Sequence, residues 1–310
     1  MTNTTNTTAA TTTVNATDTT AATDTSAETG STAAGTSGGA PILVLAGTGK
    51  TGRRVAERLT ALGLPVRIGA RSAETPFDWT DRGTWPAALD GVRAVYLAYA
   101  PDLAVPGAPE AVTAFCEAAV AAGVRRIVLL SGRGEKEAEE CEDVVRASGA
   151  DWTVVRAAWF AQNFTESDFV GYIRAGHLAL PVGEVPEPFV DADDIADVAV
   201  AALTEDGHAG EVYEVTGPRA LTFAEAMGEI SELTGRPVGY SALAPDDFAA
   251  ALAADGVPAE VGDLLTYLFT TLFDGRNARP ADGVRRALGR EPRDFRDFVR
   301  EAAATGVWNT

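Results

Sequence analysis

The sequence predicts an α/β fold, a doubly wound parallel sheet followed by a small, mostly helical C-terminal lobe. Two patterns predict it. From Pro41 to Arg156, short apolar runs of strand length alternate with longer segments of helical period, the order that builds a parallel sheet covered on both faces. After Arg156 this alternation weakens, and from residue 244 onward the pattern is mostly helical. Ligands of such sheets bind outside the carboxyl ends of the strands, so we expect a substrate pocket between those ends and the lobe.

The individual elements follow from the apolar runs and the residues that flank them. Strands of the alternating region are predicted at 41–46, 65–70, 76–79, 93–98, 125–130 and 152–157. Helices between them are predicted at 50–63, 83–90, 107–122 and 135–148. Residues 158–185 are expected to be irregular and partly helical. The remaining elements are a helix after Val190 capped by Asp191 or Asp193, a strand at 211–215, and helices at 222–235, 245–255, 258–273, 281–288 and 293–303.

Charge and composition exclude several classes of function. The formal net charge of −19 argues against a nucleic-acid partner, because such binding depends on Lys and Arg that neutralise phosphates. No segment is long and apolar enough to span a membrane, and the N-terminus lacks the basic stretch and apolar core of a secretory signal. Cys116 and Cys141 lack the spacing of a metal or redox motif, which favours free thiols. We expect a cytoplasmic monomer or homodimer that acts on a small molecule.

A glycine-rich turn follows the first predicted strand. Its glycines have the G-x-G-x-x-G spacing that provides a tight turn, close backbone approach to a pyrophosphate, and close helix-to-strand packing. A P-loop is excluded because Val44 stands where that motif needs its first glycine. The strand before the turn and the helix after it are the context that a dinucleotide site requires. The predicted phosphate-binding residues are Gly47, Thr48, Gly49, Lys50, Thr51 and Gly52.

The end of the second predicted strand indicates which dinucleotide binds. An NAD site usually has an acid here for the ribose 2′-hydroxyl, whereas an NADP site prefers arginine for the 2′-phosphate. This sequence has Arg71 followed by Ser72, with no acid before Glu74. The pattern favours NADP(H) over NAD(H), and the alternative for Arg71 is an ordinary solvated loop residue.

Further candidates lie at the ends of the later strands. Asp78 and Trp79, at the end of the third predicted strand, are placed near an adenine ring, although Trp79 is equally consistent with core packing. Small residues at Ala98 and Ala100 let the backbone pass close to the ribose and nicotinamide. Between them Tyr99 is either a pocket wall or a surface residue. Ser131 either hydrogen-bonds a substrate carbonyl or caps the next helix, which makes it the one candidate catalytic residue.

Hydrolytic and zinc chemistry find no support in the sequence. Only His177 and His208 are present, without a nearby nucleophile for a triad and without a three-ligand zinc set. We therefore expect no metal. The acids between Glu135 and Asp143, including Glu142, are expected to form a solvated face that complements the dipole of their helix.

Residues 41–308 resemble the NmrA-like branch of the atypical short-chain dehydrogenase/reductase superfamily. The resemblance rests on the motifs at 46–52, 71, 127–131, 151–156, 159–164, 189–195, 213–218 and 289–295. It implies a Rossmann domain with a small substrate lobe and NADP(H) as the usual dinucleotide. The corresponding domains are a disordered low-complexity tail at 1–39, a nucleotide-binding domain at 40–165 to which 189–216 returns, and a substrate-binding lobe formed by 166–188 and 217–310.

The superfamily's usual catalytic Tyr-x-x-x-Lys pair is missing. In the register chosen here its positions are Gly134 and Ala138, and Lys136 has no tyrosine partner. The implied acceptor therefore needs little protonation: a quinone, an azo or other conjugated compound, or a reactive carbonyl. Its pocket is predicted to be lined by Arg133, Trp159, Phe160 and Asn163. Asp191 is expected to pair with Arg156 as a structural contact.

Two functions remain open at this point. The first is an NADPH-dependent oxidoreductase that transfers a hydride to such an acceptor. The alternative is a non-catalytic, NADP(H)-sensing regulator that acts through protein partners. The missing Tyr–Lys pair favours the sensor, whereas the aromatic pocket favours the enzyme.

Overall fold

The computed structural model describes residues 39–309 and contains two parallel sheets. The strands are β1 (Ile42–Leu45), β2 (Val66–Gly69), β3 (Ala94–Leu97), β4 (Arg126–Gly132), β5 (Asp151–Ala157), β6 (His177–Leu180), β7 (Glu211–Val215) and β8 (Gly239–Ala242). The main sheet has the order β2-β1-β3-β4-β5-β7, and β6 pairs with β8 in a separate small sheet. The chain leaves β1 toward one edge and then crosses to β3 on its other side. This reversal creates the crevice in which ligands of such sheets bind.

Helices cover both faces of the main sheet and build most of the region beyond it. They are α1 (Lys50–Ala61), α2 (Trp85–Leu89), α3 (Ala108–Ala121), α4 (Lys136–Ala147), α5 (Phe169–Ala175), α6 (Ala192–Thr204), α7 (Phe223–Thr234), α8 (Pro245–Ala254), α9 (Ala259–Leu272), α10 (Gly283–Leu288) and α11 (Phe295–Thr305). Short 3₁₀ turns occur at Arg82–Thr84 and Ala161–Phe164.

Three hydrophobic clusters correspond to these layers. One packs α1, α6 and α10 on one face of the main sheet, and a second packs α2, α3 and α4 on the other. All four residues of β1 and of β3 are buried, as expected for strands covered on both sides. A third cluster joins α5 and the small sheet to α7, α8, α9 and α11. It forms a core of its own beyond the carboxyl ends of the main strands.

Several predicted elements are confirmed in detail. Asp191 caps α6 by accepting a hydrogen bond from the backbone N–H of Asp193. Thr222 and Glu225 form the predicted capping box at the start of α7. The doubly wound parallel sheet is also confirmed, with β7 joining it after the long excursion that follows β5.

The predicted strand at 76–79 is wrong. Only an isolated bridge between Asp78 and Asp81 forms there, because this segment packs as a loop. The ring of Phe77 lies 6.1 Å from Trp85 and 5.6 Å from Phe115, centroid to centroid, and the Trp85 indole N–H donates to the carbonyl of Asp78. These contacts bind the segment to α2 and α3 instead of to β2.

The small sheet was not predicted either, since residues 158–185 were expected to be irregular and partly helical. His177–Leu180 and Gly239–Ala242 are each four residues long and pair across about sixty residues of sequence, so neither has a strong local pattern. The predicted disordered tail falls almost entirely on residues outside the described range. Between residues 39 and 309 no helix is long and apolar enough to cross a bilayer.

Candidate functional site

The glycine turn lies between the end of β1 and the start of α1, and its three glycines have different surroundings. A Cβ at Gly52 would lie 2.2 Å from the carbonyl oxygen of Ala46, and one at Gly47 would lie 2.8 Å from Ile68 Cγ2. The protein's own packing therefore requires glycine at both positions. A Cβ at Gly49 would come no closer than 3.2 Å to its nearest neighbour, the carbonyl of Ala46. The packing of the protein therefore gives a weaker reason for glycine at position 49 than at 47 or 52. Close approach of a ligand to the backbone would explain why Gly49 lacks a side chain.

The N-terminus of α1 completes an anion-binding corner. Gly49 is its N-cap and has no side chain that could satisfy the amides of the first turn. Those N–H groups and the positive end of the helix dipole lie at the carboxyl edge of the sheet, beside the crevice. The turn therefore fits the pyrophosphate of a dinucleotide. Thr48 is exposed in the turn, whereas Lys50 and Thr51 are buried at the start of the helix.

Arg71 and Ser72 are exposed in the turn that follows β2, at the same edge of the sheet. The nearby side chain of Asp78 has its pKa lowered, mainly by the backbone N–H and hydroxyl of Thr80 and to a smaller extent by the charge of Arg71. Arg71 and Asp78 therefore occupy one polar corner. This is where the sequence places the adenosine half of the cofactor.

Trp79 and Tyr99 belong to an aromatic group beside that corner. Their ring centroids are 4.7 Å apart, and Trp79 also lies 5.2 Å from Phe115. These ring contacts are the ones that the core-packing alternative for Trp79 predicts. Ala98 is buried directly after β3, and Ala100 is half-buried two residues later.

A cavity of about 90 Å³ opens where β3, β4 and β5 end against α9. It brings together Ser131 and most of the predicted pocket side chains. The predicted residues along its wall are Tyr99, Ser131, Arg133, Trp159, Phe160 and Asn163. From α9 and the segment after it come Leu268, Leu272 and Phe273, whose ring lies 5.3 Å from that of Trp159. Most of the wall is apolar or aromatic, with few polar groups, as in binding sites for small organic molecules.

Lys50 connects the glycine turn to this cavity. Its Nζ donates to Oδ1 of Asn163 at 2.9 Å, and both side chains are buried. Burial lowers the pKa of Lys50 to about 8, although Glu166 and Asp168 act in the opposite direction. The glycine turn and the wall of the cavity are therefore in direct contact.

Ser131 belongs to a buried polar network. Its hydroxyl donates to Oε1 of Glu142 at 2.7 Å, and Glu142 is fully buried. Two hydrogen bonds from Arg156, at 2.8 and 2.5 Å, and one from Arg146 satisfy the same carboxylate. In this arrangement the Ser131 proton faces Glu142, so Ser131 offers lone pairs to a ligand.

Two expectations about this network are wrong. Glu142 is not part of a solvated acidic face, because it lies on the inner side of α4 where Ser131 and Arg156 surround it. Arg156 does not pair with Asp191 but with Glu142 and Glu214. Asp191 instead accepts hydrogen bonds from Gln162 Nε2 and from the backbone N–H of Asp193.

Arg133 lines the cavity, but its guanidinium is committed to the protein. It donates to Glu214 at 3.1 Å and to the backbone carbonyls of Asn277 and Arg279 at 2.7 and 2.9 Å. The side chain therefore ties the segment after α9 to β7.

Comparison with known proteins identifies the family. A sequence model described as NAD(P)H-binding matches residues 46–206. The chain is 33% identical to the NAD(P)H azoreductase of Xenophilus azovorans over 285 residues, which cover 85% of this chain and 98% of that one. It is 38% identical to a (4-alkanoyl-5-oxo-2,5-dihydrofuran-3-yl)methyl phosphate reductase of Streptomyces griseus over 283 residues, covering 84% and 98%. The chain belongs to the NmrA-like, NAD(P)H-binding family. It is an NAD(P)H-dependent oxidoreductase.

A solved structure supports the fold of this NmrA-like reductase. The NADP(H) complex of the Citrobacter sp. triphenylmethane reductase superposes with a TM-score of 0.73 at 19% identity, covering 84% of this chain and 99% of that one. The family and the fold class expected from the sequence are thus confirmed.

The cavity of this NmrA-like reductase also contains the carboxyl groups of Asp102, Glu135 and Glu187. Sequence reasoning missed Asp102 and Glu187, and the expectation that Glu135 lies on a solvated acidic face is wrong, because its carboxyl packs against Gly132 at the cavity. Burial raises the pKa of Asp102 to about 6 and that of Glu187 to about 7. Burial also raises the pKa of Glu135 well above its ordinary value, and neighbouring Asp102 and Glu137 raise it further. The only signal for Glu187 was an acid between two prolines, Pro186 and Pro188, in an otherwise apolar stretch.

Proposed function

We propose that this protein reduces a flat, conjugated small molecule with NADPH, in the cavity at the ends of β3, β4 and β5. The observation that carries the proposal is the contact between Lys50 and Asn163, which joins the glycine turn to a cavity with aromatic walls. The acceptor classes that fit are a quinone, an azo or other conjugated compound, or a reactive carbonyl.

Three features support this choice of substrate and cofactor. Trp159, Phe160 and Phe273 provide faces on which a planar acceptor can stack. Arg71 and Ser72 are exposed at the end of β2, where a 2′-phosphate would lie. The relatives named above are reductases of azo compounds and of an oxo-dihydrofuran, both conjugated acceptors.

The proposal also assigns roles to the parts of the chain. Residues 40–165 together with 189–216 would hold the nucleotide, and residues 166–188 and 217–310 would hold the acceptor. The separate hydrophobic cluster of α5, α7, α8, α9 and α11 supports this division. The wall residues Trp159, Phe160 and Asn163 would position the acceptor against the nicotinamide, so that much of the rate comes from orientation in a dry site.

The test is a turnover assay with purified protein. Loss of reduced-nicotinamide absorbance is followed with NADPH or NADH and a panel of quinones, azo dyes and aldehydes. We expect turnover with at least one acceptor and a preference for NADPH. Tight NADP(H) binding with no turnover of any acceptor would overturn the proposal in favour of a sensor.

A pair of variants tests the location of the site. Trp159→Leu should raise KM for the acceptor about tenfold while leaving the affinity for NADPH unchanged, because the indole packs on the acceptor wall. Trp152→Leu is the matched control, since Trp152 packs against Arg146 away from the cavity. Equal effects of the two variants would place the acceptor elsewhere.

A further inference from the structure

Reduction of the proposed acceptors consumes a proton as well as a hydride. The hydride from the nicotinamide adds to one atom of a C=O or N=N bond, and the other atom must gain a proton for a neutral product to leave. The positions of the usual Tyr and Lys are occupied by Gly134 and Ala138. These acceptors need less protonation help than a simple carbonyl, but an acid on the wall of a dry cavity still supplies the proton faster than water does. The candidates for this acid are the other groups of the cavity.

Glu187 is buried and lines the cavity. It is 4% exposed, and its Oε1 accepts a hydrogen bond from the backbone N–H of Trp159 at 3.2 Å. Among residues 39–309, Oε2 of this carboxyl has no hydrogen-bond partner. One oxygen is thus fixed by the chain that follows β5, while the other is available to a molecule in the cavity.

The charged groups around Glu187 leave it able to hold a proton near neutral pH. Arg133 lowers its pKa, but the Arg133 guanidinium donates to Glu214 and to two carbonyls instead of to Glu187. The other ionisable groups along the cavity are the carboxyls of Asp102 and Glu135 and the phenol of Tyr99. Burial raises the pKa of Tyr99 above its ordinary value, so this phenol is a much weaker acid than Glu187. Because burial outweighs both the hydrogen bond from the Trp159 backbone N–H and the attraction of Arg133, the pKa of Glu187 is raised to about 7.

We propose that Glu187 is the catalytic proton donor of this reductase, replacing the missing tyrosine. The inference rests on the proposed function. In the step, the C4–H bond of NADPH breaks as its electron pair forms the new bond to the acceptor, and the O–H bond of Glu187 Oε2 breaks as its proton moves to the neighbouring acceptor atom. NADPH is oxidised to NADP⁺, the acceptor is reduced by two electrons, and the Glu187 carboxylate regains a proton from water.

Other groups near the cavity suit this role less well. The single Ser131 proton is donated to Glu142, and the Lys50 ammonium lies at the glycine turn, where the proposal assigns it to the pyrophosphate. The carboxyl of Glu135 lies against the backbone of β4, since a Cβ at Gly132 would fall 2.0 Å from its Oε1. Glu135 is therefore the natural comparison for Glu187: a second carboxyl with a raised pKa on the same cavity, held in a different place.

The experiment compares Glu187→Gln with Glu135→Gln on two kinds of acceptor. Glutamine has the same shape and can still accept from Trp159 N–H, so Glu187→Gln should fold and bind NADPH with unchanged affinity. We expect kcat for the quinone, azo or carbonyl acceptor to fall by about 100-fold, the usual contribution of a general acid. The 10-methylacridinium cation takes a hydride without a proton, and its reduction should change less than about threefold.

The pH profile provides the second readout. Wild-type kcat for the proton-requiring acceptor should fall as pH rises above about 7, because the acid must be protonated to act. The fall in kcat above about pH 7 should persist in Glu135→Gln. It should also persist in Glu187→Asp, at a lower kcat, and should be absent in Glu187→Gln. An unchanged profile in Glu187→Gln, or an equal loss with both kinds of acceptor, would overturn the assignment. Failure of the wild type with every acceptor, acridinium included, would overturn the proposed function instead.

Discussion

Lys50 donates a hydrogen bond to Asn163 across 113 residues of sequence, with Nζ and Oδ1 2.9 Å apart. The contact joins the first turn of α1 to the wall of the cavity. A ligand that contacts the glycine turn therefore meets a residue that also holds the wall of the cavity. Cofactor and acceptor binding should be coupled through this pair.

The first prediction concerns the charge of Lys50. Burial lowers its pKa to about 8, so its positive charge is lost as pH rises from 7 to 9. If that charge helps to hold the pyrophosphate, the Kd for NADPH of the wild type should rise about tenfold over this range. Lys50→Met should show the weaker binding at every pH. Titration of protein fluorescence with NADPH measures the Kd of the wild type and of Lys50→Met at each pH. The control Lys136→Met, at an exposed position, should keep the wild-type dependence of Kd on pH.

The second prediction separates the glycines of the turn. Gly52→Ala should lower the free energy of unfolding by more than about 2 kcal/mol, because its Cβ would overlap the carbonyl of Ala46. Gly49→Ala should cost less than about 1 kcal/mol, yet weaken NADPH at least tenfold because the methyl group keeps the pyrophosphate from the backbone. Urea unfolding and NADPH titration distinguish them. Equal destabilisation by the two variants would contradict a ligand-related role for Gly49.

The glycine turn was predictable because it is local. Its spacing, the buried strand before it and the helix after it all lie within about twenty residues. The nearby backbone carbonyls of Val44 and Ala46 already leave no room for a Cβ at Gly47 and Gly52, although Ile68 from β2 also crowds Gly47. The capping box of α7 was predictable for the same reason. Structure formed by residues close together in the chain can therefore be predicted from the order of those residues.

The acidic side of the cavity was not predictable because contacts between distant residues build it. Glu187 reaches the cavity through its hydrogen bond to Trp159 and through pairing with Leu221, both far away in sequence. Glu142 resembled one of several surface acids in the sequence, and its burial depends on contacts with the distant Arg156 and with Ser131. In both cases tertiary packing outweighs the local composition.

The third prediction tests which side chain binds the 2′-phosphate of NADPH. Arg71→Ala should weaken NADPH by about 10- to 100-fold and NADH hardly at all, since a charge-assisted hydrogen bond to phosphate contributes about 1.5–3 kcal/mol. Arg67→Ala is the matched control, because the Arg67 guanidinium donates to the carbonyls of Ala88 and Asp90. It should leave the ratio of the two affinities unchanged. Similar losses for NADPH and NADH in Arg71→Ala would remove Arg71 from the cofactor site.

The fourth prediction concerns the network around Ser131. Glu142→Ala should lower the free energy of unfolding by about 3–5 kcal/mol, because Arg156 would lose its fully buried partner. Ser131→Ala removes one hydrogen bond to that carboxylate and should cost about 1–2 kcal/mol. Its kcat should stay within about tenfold of wild type if Ser131 orients the site through Glu142. A loss of about 1,000-fold with unchanged stability would instead assign Ser131 a direct catalytic role.

The last prediction links Glu187 to stability. Its pKa is raised from 4.5 to about 7, so the folded state binds this proton more tightly than the unfolded state does. The favourable contribution of the neutral carboxyl is complete below pH 4.5 and is lost as pH rises through 7. At about 1.4 kcal/mol per tenfold change in proton affinity, ionisation at pH 8 costs the fold up to about 3 kcal/mol. Glu187→Gln should therefore be more stable than wild type at pH 8 and nearly equal at pH 4.5, as measured by urea unfolding. A variant less stable at both values would indicate that Glu187 is ionised and paired in the folded state.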